Sequence, residues 1–266
     1  MSSSPERNDR RPSQDRGRAS GWKGRRGRPA GDVAAWLWGR HAVLAALANP
    51  LRSAPIRLLA TVERARELPV GTSGLRTEIL PPAEIARALP PGAAHQGLAL
   101  KTPPLEPSDI DAVATPAGGL ILVLDQVTDP QNVGAIFRSA AAFGARAIVL
   151  QERHAPPLAG ALAKAAAGAI ERVPHVRAVN LSRALDALAD RGWRAIGLDA
   201  EAPASLAETL DARPTALVLG SEGEGLRRLV AEHCDALARI PMAGGFESLN
   251  VAAAAAVALY EAARPR

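Results

Sequence analysis

Cysteine is almost absent from this chain, with Cys234 the only one in 266 residues. A single thiol excludes an intrachain disulfide and any cysteine-cluster metal site, and it fits a reducing cytoplasm. Long uninterrupted apolar runs are missing too. The expectation is therefore a chain without a membrane span, and without a secretory signal, because no apolar stretch follows the first basic residues. Phosphate-binding glycine fingerprints are also lacking. Neither G-x-G-x-x-G near the first central strand nor a P-loop with its Lys-Ser/Thr pair occurs, which argues against a dinucleotide-dependent oxidoreductase. No repeat of solenoid period is present.

Basic residues exceed acidic ones, 32 to 27, but the excess sits in one place. Residues 1–33 hold nine Lys and Arg against four acids, and the remainder is balanced at 23 of each. This arm is Arg, Ser, Gly and Pro with almost nothing apolar, so it reads as disordered. It is either a sequence-independent tether to nucleic-acid phosphate or a solvated, solubility-promoting arm.

Residues 36–101 read as a small α/β module. Ala42–Ala48 has helical apolar spacing and is closed by Asn49-Pro50; 56–62 reads as a strand, Pro81–Leu89 as a proline-bounded helix and Gln96–Leu100 as a closing strand. His95, just before that strand, reads as structural. Residues 102–119, with four prolines, read as a linker.

The second module, 120–266, begins with the near-continuous apolar run Leu120–Leu124 expected of a central parallel strand. Asp129-Pro130 then starts a helix with Val133, Ile136, Phe137 and Ala140 on one stripe. Gly134 lies within that helix, one turn before Arg138, and an interior glycine costs roughly 1 kcal/mol against alanine. The expectation is that something approaches the backbone there. Strands at 147–150, 173–179, 193–198 and 215–219 alternate with helices at 158–169 and 181–190, the pattern of a mostly parallel sheet covered on both faces.

Two loops close the reading. Leu217–Leu219 stops abruptly at Gly220-Ser221-Glu222-Gly223-Glu224-Gly225, and Ile240-Pro241-Met242, read as a strand end, leads through Gly244-Gly245 to Ser248, read as the N-cap of the last helix. Loops at one sheet edge can enclose one ligand. The two glutamates argue against phosphate and suit a ligand with positive character or hydroxyl and amine donors; a functionless acidic turn is the plain alternative.

Asn132-x-Gly134-x-x-x-Arg138, Leu219-Gly220-Ser221-Glu222-Gly223-x-Gly225-Leu226, and Ile240-Pro241-Met242 through Glu247-Ser248-Leu249-Asn250-Val251-Ala252 together resemble the three ordered motifs of the SpoU (TrmH-type) RNA ribose 2'-O-methyltransferases. The resemblance covers 120–263. Gly39-Arg40-His41-Ala42-Val43 and His95-Gln96-Gly97 are similar to the small substrate-binding domain, of the kind found in ribosomal protein L30e, that precedes the catalytic domain in some members. The two-part arrangement is most similar to members acting on a 23S rRNA guanosine.

This resemblance implies an α/β SPOUT domain with a deep C-terminal trefoil knot, whereas periodicity alone gives an ordinary open sheet. It implies S-adenosyl-L-methionine as cofactor, held at Leu219, Gly220, Ile240, Met242 and Leu249, and no metal. It implies that Arg138 acts on the ribose 2'-hydroxyl, with Asn132, Glu222, Ser248 and Asn250 arranging it. A guanidinium does not release its proton near neutral pH, so Arg138 is read as phosphate clamp and alkoxide stabiliser, with the proton acceptor open. The implied partners are RNA, with 23S rRNA ahead of transfer RNA, and a second copy of the chain through the knot region, where Ala252–Ala263 is rich in small residues. Aromatic residues are only 3% of the chain, so RNA shape and backbone are expected to dominate recognition over base stacking. Each site residue also has a structural reading: Arg138 as a solvated charge, Asn132 as a first-turn polar residue, Ser248 as a helix cap with Asn250 in the first turn. A non-catalytic RNA-binding protein of the same fold is the competing function class.

Overall fold

Two sheets organise the computed structural model, which describes residues 35–69, 75–243 and 248–264. The basic arm expected at 1–33 lies outside the described residues, as do the Gly244-Gly245 turn and Glu247.

The first sheet is built from β1 (Ala35–Trp38), β2 (Arg57–Ala60), β3 (Thr77–Ile79) and β4 (Leu98–Thr102), in the order β1-β4-β2-β3. The β4 strand runs antiparallel to both β1 and β2, and β3 runs parallel to β2. Helix α1 (Arg40–Ala48) follows β1, a short α2 (Val62–Ala65) is capped by Thr61, and α3 (Pro82–Arg87) starts at its proline. Periodicity did not reveal β1, β3 or α2, each of which is only three or four residues long.

Residues 102–119 are more than a connection. They contain α4 (Ile110–Ala114), capped by the Asp109 side chain, whose Ile110, Val113 and Ala114 are buried. The Trp193 indole N–H donates to the Ala114 carbonyl at 2.8 Å, fastening this helix to the second domain.

The second sheet holds six parallel strands: β5 (Leu120–Leu124), β6 (Ala147–Gln151), β7 (His175–Ala178), β8 (Arg194–Leu198), β9 (Thr215–Leu219) and β10 (Ala236–Ala238), in the order β10-β8-β9-β5-β6-β7. Its central strands are apolar throughout because both faces are covered. On β5, Leu120, Leu122 and Leu124 join one core, while Ile121 and Val123 join the other. The first core packs under α5 (Pro130–Ala142) and α6 (Gly160–Ala166), the second under α4 and α7 (Leu181–Ala189), which is capped by Asn180. Short helices α8 (Leu206–Thr209) and α9 (Arg228–Ala231) flank β9, and α10 (Val251–Ala263) ends the described chain.

Gly134 answers its question differently from the expectation. A Cβ there would lie 2.5 Å from the Leu162 carbonyl oxygen and 2.6 Å from the Ala165 Cβ, so what approaches α5 is α6 and not a ligand. The helix expected over 158–169 is also shorter, because Ala167 and Gly168 are left-handed and stop it.

Two expectations near the C-terminus fail. The strand ahead of Ile240 ends at Ala238, and residues 240–243 are irregular. The last helix is capped by Asn250, whose side chain accepts from the Ala252 and Ala253 N–H groups; Ser248 lies two residues outside it. After β10, at the sheet edge beside β8, the chain returns to lay α10 on α5, β5 and β9.

The two domains share a core. Leu37, Ala42, Val43 and Ala46 pack in one cluster with Leu162, Ala163 and Ala166 of α6. Beside it the Arg52 guanidinium meets Glu171 at 2.6 Å, with both side chains nearly fully buried, and Asn49 donates to the same carboxylate at 2.8 Å. Among the described residues, no helix is long and apolar enough to cross a membrane.

Candidate active site

The carboxyl ends of three neighbouring strands, β10, β8 and β9, open into one cavity of about 430 Å³. This is where an open α/β sheet presents its ligand crevice, and the volume falls in the range of small-molecule sites. Its walls include Leu219, Gly220, Ile240, Met242 and Leu249, the five positions expected to hold a cofactor. Glu222 and Ser248 also face it.

The loop after β9 is shaped by its own backbone. Ser221 and Gly225 exchange N–H to carbonyl bonds of 3.1 Å each, closing a tight turn in which Gly223 (φ 92°) and Gly225 (φ 67°) are left-handed. Gly220 has a different constraint: a Cβ would sit 2.1 Å from the Gly225 carbonyl carbon. The glycines are thus required for turn closure before any ligand is considered.

Sequence reasoning missed the anchor of this loop, Asp125, which is fully buried at the end of β5. Its N–H donates to the Leu219 carbonyl at 2.8 Å, fixing the loop's entrance. Its carboxylate accepts from the Arg227 N–H at 3.0 Å and from the Arg227 Nε at 2.8 Å, fixing the exit. The available signal was an aspartate ending an all-apolar central strand, since a buried carboxylate demands a cation. Asp199 and Ala200, after β8, also line the cavity without having been singled out.

Three expected residues converge beside the cavity. Glu222 Oε1 accepts from Asn250 Nδ2 at 2.6 Å, from Asn132 Nδ2 at 3.1 Å and from the Val251 N–H at 3.1 Å. Asn250 Nδ2 also donates to Asn132 Oδ1 at 3.0 Å. The N-termini of α5 and α10 and the β9 loop are joined at one carboxylate oxygen. Arg138 is not in this network. It lies exposed further along α5, with no hydrogen bond or ion pair among the described residues. Ser248 is exposed at the cavity mouth.

Cys234 offers no nucleophile. Burial, helped by the nearby Asp235 and Asp125 carboxylates, pushes its thiol up to about 12. The motifs of the first domain meet at the domain junction: Gln96 Oε1 accepts from the Arg40 N–H and from Lys164 of α6. His95 Nδ1 accepts the Gly97 N–H at 3.1 Å, a structural role.

Comparison with known proteins bears on residues 119–260, which match the model of the SpoU rRNA Methylase family. The chain belongs to that family. A relative from Mycolicibacterium smegmatis, described as an uncharacterized tRNA/rRNA methyltransferase, is 47% identical over 177 residues, covering 65% of this chain and 56% of its own length. The chain thus spans little more than half of that relative. A counterpart from Mycobacterium marinum is 38% identical over 264 residues, covering 96% of this chain and 84% of the relative. The SpoU methyltransferase AviRb of Streptomyces viridochromogenes, solved with AdoMet, superposes with a TM-score of 0.73 at 26% identity over 86% of this chain and 88% of that one. An AdoMet-bound rRNA methyltransferase from Sinorhizobium meliloti gives 0.72 at 27% identity, covering 86% of each chain.

Both superpositions extend over this chain's small mixed-sheet domain and its six-stranded parallel domain, since each covers 86% of the chain. In this member the cavity offers apolar walls at Leu219, Ile240 and Leu249 and several acidic side chains. Such a donor set suits a ligand combining a flat apolar ring with positive charge, and it fits the AdoMet of the two relatives.

Proposed function

We propose that this SpoU-family chain is an S-adenosylmethionine-dependent RNA ribose 2'-O-methyltransferase, and that its substrate is a guanosine of 23S rRNA. One observation carries the reading: the cavity walled by Leu219, Gly220, Ile240, Met242 and Leu249 shares Glu222 with the Asn132–Asn250 network. A cofactor site and a polar arrangement for a second reactant thus meet at one carboxylate.

The cofactor, when bound, supplies a methyl group on a positively charged sulfur. With the cofactor held at Leu219, Gly220, Ile240, Met242 and Leu249, its methyl carbon would be open to the ribose 2'-oxygen, the carbon–sulfur electron pair would remain on sulfur as a thioether, and the hydroxyl proton would pass to water. The protein's contribution is alignment and charge stabilisation. Glu222 fixes the amides of Asn132 and Asn250, which orient the ribose, and Ser248 contributes at the cavity mouth. Arg138, exposed and unpaired among the described residues, takes the RNA phosphate and stabilises the developing alkoxide.

The relatives described as tRNA/rRNA methyltransferases support both RNA classes, and the Sinorhizobium enzyme supports rRNA. The deciding experiment maps ribose methylation in ribosomal and transfer RNA from cells lacking the protein. Loss of one 23S site is expected, while loss of a transfer RNA site instead would transfer the assignment. Calorimetry with S-adenosylhomocysteine separates an enzyme from a cofactor-free RNA binder, for which no heat of binding is expected.

The active unit in this proposal is a dimer formed through α10. Val257 and Tyr260 are 43% and 56% exposed, and Tyr260 stacks edge-on to Phe143 with ring centroids 6.0 Å apart, giving an apolar strip beside small alanines. Sedimentation at micromolar concentration is expected to give a dimer, and a monomer alone counts against it.

A further inference from the structure

The cavity carries three carboxylates, Asp199, Glu222 and Glu224, while no Lys, Arg or His is among its lining residues. Several acids elsewhere in the chain do have a cation. Arg227 meets Asp125, Arg52 meets Glu171, Arg57 meets Glu78, Arg40 meets Glu67 and Arg213 meets Asp211. Among the described residues, the three cavity acids have no cation. Glu222 is held by two amides and a backbone N–H, and Asp199 Oδ1 accepts only the Glu201 N–H at 2.9 Å. The described lining residues therefore have a formal charge of −3, without a counterion among the described residues.

Under the methyl-transfer reading, two ligands alternate in this cavity. S-adenosylmethionine carries a sulfonium, an ammonium and a carboxylate, for a net charge of +1. The thioether product has lost the sulfonium charge and is neutral overall. Both present the same adenosine and amino-acid groups to Leu219, Ile240 and Leu249, so apolar shape scarcely separates them; one methyl group and one unit of charge are the difference.

We infer that Asp199 and Glu224, acting with Glu222, make the cavity a charge discriminator that favours the sulfonium cofactor over the neutral thioether, so that spent product is displaced by fresh cofactor. The inference rests on the methyl-transfer reading. Carboxylates near an open cavity act through a partly screened field, so the preference is moderate and salt-dependent. It also belongs to turnover more than to the chemical step. Positive charge on sulfur is already being lost in the transition state, so these acids stabilise the bound cofactor more than the transition state and do not by themselves accelerate transfer.

Calorimetry on the full chain tests this with three probes: S-adenosylmethionine, S-adenosylhomocysteine, and sinefungin, an analogue with a cationic amine in place of the sulfonium methyl. At low salt, both cationic ligands are expected to bind about fivefold or more tightly than S-adenosylhomocysteine, and the ratio is expected to shrink as salt rises. In the double variant Asp199→Asn, Glu224→Gln the preference should largely disappear while S-adenosylhomocysteine affinity stays within about twofold, which also shows that the cavity is intact. The salt series on the unaltered protein stands without the variant. Equal affinity for all three probes, or a preference indifferent to salt and to the double substitution, overturns the inference and leaves the methyl-transfer reading in place. Failure of all three to bind overturns both.

Discussion

Asn132 and Asn250, 118 residues apart in sequence, share a hydrogen bond of 3.0 Å and both donate to Glu222 Oε1. Glu222 thus acts as the common acceptor for two helix N-termini. Glu222→Ala leaves both amides and the Val251 N–H without their partner and is expected to lower kcat at least 100-fold. The network is exposed to water, so the stability cost should be only about 1–2 kcal/mol. Steady-state kinetics alongside urea unfolding checks both figures; a variant with normal kcat would remove Glu222 from the mechanism.

Arg138 contrasts with that network because nothing within the described residues uses its charge. Arg138→Ala should therefore change folding stability by no more than about 0.5 kcal/mol. S-adenosylhomocysteine affinity should be unchanged, since Arg138 does not line the cavity. Methyl transfer is expected to fall below detection. Full activity in this variant would sink its assigned role.

The Arg52–Glu171 pair joins the two domains through side chains only 2% and 3% exposed. Removing one partner strands a buried charge, so Arg52→Met is expected to destabilise the protein by about 3–5 kcal/mol. The double change Arg52→Met, Glu171→Leu should recover a large part of that loss. With the single Glu171→Leu variant included, chemical denaturation of the four proteins measures the coupling, and additive effects in the double variant would show that the pair is not coupled.

His175, on the edge strand β7, stays neutral when folded because burial, with smaller contributions from Arg177 and Arg52, lowers its pKa from 6.5 to about 4. Between those values the unfolded chain takes up a proton that the folded chain refuses. Stability therefore falls as pH drops through this window and the loss levels off below about 4, amounting to roughly 3 kcal/mol. His175→Leu should flatten that part of the stability profile, read by denaturant midpoints from pH 7 to pH 4. An unchanged slope would assign the acid sensitivity to other groups.

The second domain's alternation and the residues lining its cavity were legible in the sequence alone. Runs such as Leu120–Leu124 and Thr215–Leu219 are the pattern expected of central strands in a doubly covered parallel sheet, and the Asp129 and Asn180 caps mark where helices begin. The motifs carried Leu219, Gly220, Ile240, Met242 and Leu249, because loops at strand ends keep their order along the chain. Tertiary structure decided what depends on distance through space. It made Asn250, rather than Ser248, the cap of α10, and it turned Gly134 from a suspected ligand contact into the seat of α6. It exposed Asp125 as the anchor of the Glu222 loop, a role set by a partner 102 residues away. It also placed Asp199 and Glu224 around one cavity without a cation. Local pattern encodes periodicity and caps, whereas the pairing of a buried charge and the field inside a cavity are sums over residues that only folding brings together.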